Sequence, residues 1–196
     1  MTNDFGQLLD GAARTALPVV RGVAQTQLGA PTPCDEYDVR ALLNHLFNVV
    51  VGFQALAARG TADFATTPDR LGDDDWRARF AEETARLVEA WSAPDALEGT
   101  SQGMGLPQRT VGEMALGDLT VHAWDLARAT GQDFTPYAPS VPVLNEGLAA
   151  LAPMARKMNV FGEPFPLPSG ASPFEEVLAV TGRDPGWSPP GLAAPA

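Results

Sequence analysis

The chain has 196 residues, 13 of them basic and 24 acidic, for a net charge of −11 and a pI near 4.5. That length suits one domain with a sizeable core, and a hydrophobic share of 45% fits a soluble globular chain. No basic patch suits nucleic acid or an anionic membrane, no run approaches the roughly 18 apolar residues of a bilayer span, and the single cysteine, Cys34, excludes an internal disulfide framework. The first residues lack the basic and apolar regions of a secretory signal, so the expected location is cytoplasmic.

The elements read as helices joined by Pro/Gly-rich loops. Phe5, Leu9, Ala12, Ala16, Val19, Val20 and Val23 repeat at helical spacing, with Asn3 or Asp4 as cap and Pro18 as an expected kink or interruption. A second helix is predicted from Asp38 to Gly60, the glycine serving as its C′ residue, with Leu42, Leu46, Val49 and Phe53 buried and His45 beside them. Thr61 to Gly72 reads as a linker. A third helix follows Asp73–Asp75, whose charges suit a helix N-terminus, and carries Trp76, Phe80, Leu87, Val88 and Trp91. Asp95 to Arg109 reads as a long loop. The fourth helix is predicted to open on a capping box, Thr110 with Glu113, and to end at Thr130-Gly131. A fifth begins near Ser140, crosses Pro153 and buries Leu144, Leu148, Leu151, Met154 and Met158. A short sixth opens on a second box, Ser172 with Glu175, and ends at Thr181-Gly182. The pattern predicts an all-α, four-helix bundle with short accessory helices: one domain over residues 1–182 and a tail over 183–196.

The fourth helix carries the chemistry. At about 100° per residue, Asp118 and His122 fall in the middle of the apolar face formed by Val111, Ala115, Leu126 and Ala129, one turn apart, with Asp125 close by. Glu113 and Thr120 fall opposite, where solvent is expected. Burying such groups unpaired costs several kcal/mol, so they need each other, a partner helix or a metal ion. His45 lies at the edge of an apolar stripe on the second helix, and facing helices can bring it to Asp118 and His122. Two histidines and a carboxylate make three protein ligands for a divalent ion, zinc first, with nickel, iron or manganese also suited. Asp125 then orients a ligand histidine. A hydrogen-bonded polar core without an ion accounts for the same pattern. Cys34, in a Pro-flanked segment without cationic neighbours, reads as a small buried residue rather than a nucleophile.

DVRALLNH around His45, DLTVHAWDLARATG in the fourth helix, the closing VLAVTGRDPGW and TPCDEYDV with Cys34 resemble the DinB-like metalloenzyme superfamily. More closely they resemble its actinobacterial branch, related to the N-terminal domain of mycothiol-dependent maleylpyruvate isomerase. The resemblance covers nearly the whole chain. It implies a DinB-like antiparallel four-helix bundle with a metal site on its inner face, formed by His45, Asp118 and His122. The isomerase has glutamate where this chain has Asp118, and a further C-terminal domain for which this chain is too short.

The resulting expectation is a divalent-metal-dependent enzyme that uses a thiol, mycothiol by the resemblance, in a transfer or isomerisation on a small electrophilic substrate. Zinc is the first choice of metal; nickel or iron are alternatives. Two other classes remain open from the residues: a metal-dependent hydrolase, and a non-catalytic bundle that binds a small ligand. The expected partner is a small molecule rather than nucleic acid or membrane, and a homodimer is compatible with the sequence.

Overall fold

The computed structural model describes residues 4–190. Among them are six α-helices: α1 (Asp4–Gly22), α2 (Val39–Ala57), α3 (Trp76–Trp91), α4 (Gln108–Thr130), α5 (Val141–Lys157) and α6 (Pro173–Val180). No strand occurs among the described residues, only two isolated bridges.

Four helices form the bundle, and their directions follow from contacts at each end. Gly6 abuts Ser92 and Arg77 donates to the Val23 carbonyl, so α1 and α3 are antiparallel. Gln108 donates to the Leu56 carbonyl while His45 meets His122, so α2 and α4 are antiparallel as well. Phe47 meets Phe80 and Gln54 meets Glu83, which makes α2 and α3 parallel. The bundle is therefore not a simple up-and-down succession. The crossover from α2 to α3 returns along the bundle, held by Asn48 donating to the Asp63 and Thr66 carbonyls and by Asn44 accepting from the Arg70 amide. α5 packs on α4, and α6 on α5.

The apolar stripes fill one core in which Phe53, Phe80, Leu87, Trp91, Leu116 and Leu126 are fully buried. Asp38 caps α2, its carboxylate accepting from the Ala41 amide. At the other end Gly60 is not the left-handed residue; Arg59 is, at φ 65°, while the Gly60 amide reaches back to the Ala55 carbonyl. Two backbone carbonyls, of Asp95 and Glu98, accept from the Arg59 guanidinium and hold it there. α1 runs on through Pro18 and α5 through Pro153, so neither proline interrupts its helix. Asn3, a candidate cap for α1, lies outside the described residues.

Three further expectations are corrected. α4 starts at Gln108, a turn before the expected box, because Pro107 and Thr100 form a bridge and the Gln108 amide bonds the Gly99 carbonyl; Thr110 and Glu113 lie within the helix. Thr120 is 1% exposed, its hydroxyl donating to the Leu116 carbonyl, because α4 is covered by α1, α2 and α5. Met154 and Met158, expected in the core, are exposed.

By length and composition alone α2 could cross a membrane, with mean hydropathy 1.3, but 61% of that stretch is buried within the bundle. The segment after Gly182 reaches back into the protein. Arg183 is buried, and the Trp187 carbonyl accepts from the Arg128 guanidinium. Residues 191–196 of the expected tail lie outside the described residues.

Candidate metal centre

His45 stands in the first half of α2, and Asp118 and His122 on either side of the midpoint of the antiparallel α4, and the three share one level of the bundle. One ligand atom from each lies within 4.8 Å of the other two. The two imidazoles meet edge to face, their centroids 5.0 Å apart, and His122 Nε2 is 3.7 Å from Asp118 Oδ1. Metal–nitrogen bonds of about 2.0–2.1 Å place two ligand atoms at most about 4.2 Å apart across an ion. Small side-chain rotations therefore suffice to close this set around one, and the donor set fits a divalent ion.

The surroundings prepare these atoms. His122 Nδ1 lies 2.9 Å from Asp125 Oδ2. A carboxylate only accepts, so the Nδ1–H donates to Asp125, and Nε2 is the ring nitrogen turned towards Asp118. Asp125 is 0% exposed; burial alone raises its pKa, but the Arg183 guanidinium and the His122 hydrogen bond outweigh that and hold it below the ordinary carboxylate value. Arg183 Nη2 is 3.1 Å from Asp125 Oδ2. Burial raises the pKa of Asp118 against the pull of His122 and Arg183. Burial, then repulsion from His122 and Arg183, lowers His45 to about 3, which keeps its imidazole neutral and able to ligate. The Tyr37 ring stacks on His45, its hydroxyl 3.4 Å from Nδ1.

The cluster forms one end of a cavity of about 360 Å³, whose wall at this end includes Cys34, Tyr37 and Arg183. Burial pushes the Cys34 thiol up to about 11, against the pull of Arg183, so it is a poor nucleophile near neutral pH. Away from the cluster the wall is apolar: Val49 and Phe53 from α2, Met114 from α4, Leu148 and Leu151 from α5. The loop at 95–107 lies against the C-terminal end of α2, and Met104 is its contribution to the cavity.

All four site residues singled out in the sequence are thus neighbours. Arg183 and Tyr37 were not singled out. Both lie within segments that carry the family resemblance, TGRDPGW and PCDEYDV, but nothing local to either announces its contact.

The sequence pattern of the mycothiol maleylpyruvate isomerase N-terminal domain family matches residues 9–127, a stretch that includes His45, Asp118, His122 and Asp125. The chain belongs to this family. Two curated relatives, both from Mycobacterium tuberculosis, are named as uncharacterized proteins: MT0763 of strain CDC 1551 / Oshkosh and Rv0738 of strain ATCC 25618 / H37Rv. Each is 33% identical over 175 residues, covering 84% of this chain and 90% of its own length. No solved structure matches. Family membership agrees with the all-helical, DinB-like bundle described above.

Proposed function

We propose that this protein is a divalent-metal-dependent enzyme that uses a thiol cosubstrate, mycothiol by family, in a transfer or isomerisation on a small electrophile. The observation that carries this reading is the convergence of His45, Asp118 and His122 at one end of a cavity large enough for a small molecule. Zinc suits two imidazoles and a carboxylate best, with nickel or iron as alternatives. A bound ion supplies Lewis acidity, which lowers the pKa of a thiol and makes it nucleophilic near neutral pH.

The chain's own residues do the rest. His45 and His122 offer ring nitrogens and Asp118 a carboxylate oxygen. Asp125 fixes the His122 tautomer and ring orientation, and Arg183 keeps Asp125 ionised. The apolar wall keeps bulk water from a reactive electrophile. With Cys34 held as a thiol, the nucleophile comes from the cosubstrate rather than from the chain.

Metal analysis of the purified protein, followed by zinc titration of chelator-treated protein, tests the first half; the expected result is one ion per chain. Turnover of small electrophiles with and without added thiol tests the second. Metal bound at one per chain with a rate indifferent to thiol overturns the thiol reading in favour of water as nucleophile.

A further inference from the structure

Large apolar residues exposed to solvent are few among the described residues: Phe64, Met154, Met158 and Val160. Three of the four, Phe64, Met158 and Val160, line the cavity that holds the candidate metal centre. Met158 is 65% exposed and Val160 61%. Both sit just beyond α5, on either side of Asn159, which is left-handed at φ 56°. The segment is fixed in that place by Arg156, whose guanidinium donates to the Gly162 and Val180 carbonyls. Exposed apolar side chains gathered at one cavity mark a surface that a ligand covers.

The interior continues the same character. His45, Val49 and Phe53 follow one another at single turns of α2, a run of about 12 Å at 1.5 Å per residue. Antiparallel α4 supplies His122, Asp118 and Met114 in the same direction. The cavity is therefore polar around the cluster and mainly apolar elsewhere, with Asn159 between Met158 and Val160 as a polar exception. Its volume of about 360 Å³ holds about a dozen non-hydrogen atoms at roughly 30 Å³ each.

The polar end has a defined charge. Arg183 and Asp125 cancel; Asp118 and Glu36 are the remaining acidic residues lining the cavity, so a divalent ion balances them. Arg183 uses Nε and one N–H on each terminal nitrogen for Asp125 and the Thr181 carbonyl, which leaves one N–H on each of those two nitrogens.

We propose that the substrate is an amphiphile, with a hydrogen-bond-accepting head such as a carboxylate at the Arg183–Asp118–histidine end and a medium-length alkyl or acyl body along Phe53, Met114 and Leu151, covered by Met158 and Val160. The head assignment rests on the metal reading above; the body assignment does not.

Calorimetric titration of the zinc-loaded protein with butanoate, hexanoate, octanoate, decanoate and dodecanoate tests it. The dissociation constant should fall about fourfold per added methylene and level off near decanoate, where the cavity is full. Val160→Glu, at an exposed position that leaves the fold intact, and Met114→Glu, in the wall, should each weaken octanoate at least tenfold while leaving butanoate and zinc binding unchanged. Chelator-treated protein should keep the chain-length dependence and lose a constant factor at every length. Equal affinity for butanoate and decanoate, or a chain-length dependence that both variants leave untouched, overturns the proposal. A chain-length dependence in a protein that takes up no zinc overturns the metal reading and leaves the apolar site standing.

Discussion

Asp118 and Asp125 flank His122 on one helix and have different partners. Asp118 lies 3.7 Å from Nε2 and belongs to the set that can share an ion; Asp125 lies 2.9 Å from Nδ1 and bonds Arg183. Asp118→Ala should therefore abolish tight zinc binding, while Asp125→Asn weakens it about 10–100-fold, the usual size of an orienting effect; zinc titration of both variants checks this. Asp125→Ala should also destabilise the fold by about 3–5 kcal/mol, because it leaves the Arg183 charge buried and unpaired, measurable by urea unfolding. In metal-free protein His45 supplies a pH signature. Unfolded, it binds a proton near 6.5; folded, only near about 3. Between those values the unfolded state holds more protons, so stability falls with decreasing pH, at up to about 1.4 kcal/mol per unit. Asp118 acts in the opposite sense, its contribution being lost as pH rises through its raised value. Urea unfolding of chelator-treated wild type and His45→Phe from pH 7 to 4 isolates the histidine, and the variant should lose its part of the slope. Cys34, raised from 9.0 to about 11, should react with iodoacetamide about a hundredfold more slowly than an ordinary thiol at the same pH, as followed by mass spectrometry.

At the scale of elements, local signals succeeded where the local chain decides the outcome. The box at Ser172 and Glu175 is formed in both directions, and Gly131 ends α4 at φ 70°. The same signature at Thr110 and Glu113 failed, since a bridge in the preceding loop starts α4 earlier. Periodicity placed Leu144, Leu148 and Leu151 inside but carried Met154 and Met158 with them, where no neighbouring helix covers the stripe. Arg183 was illegible for a different reason: its partner lies 58 residues away, and the sixth helix alone brings them together. The turn that does so is tight. Gly182 has φ 89°, and a Cβ there would come 2.7 Å from the Gly162 backbone. Gly182→Ala should thus cost about 1–3 kcal/mol in backbone strain alone and displace Arg183, lowering zinc affinity in the direction of Asp125→Asn without touching a ligand. Ser172→Ala, which loosens only the start of α6, should cost about 1 kcal/mol and leave zinc affinity unchanged.

For the whole molecule, the candidate centre joins α2 to α4, and through Asp125 and Arg183 it also engages the segment after α6. An ion bound there holds the folded state and has no equivalent site in an unfolded chain whose ligands lie 73 and 4 residues apart in sequence. Binding must then raise stability by mass action, by about 2.7 kcal/mol at a free metal concentration one hundred times the dissociation constant. For a domain of this size about 1 kcal/mol moves the melting temperature by roughly 2–4 °C, so zinc should raise it by about 5–10 °C. Asp118→Ala should show no rise, because two histidines alone do not form the three-ligand set. Met114→Glu, which alters the apolar wall but no ligand, should show the full rise. Thermal melts of the three proteins with chelator and with zinc decide the matter. A rise common to all three assigns zinc to surface carboxylates, of which this acidic chain has many, and removes the centre from the account of its stability.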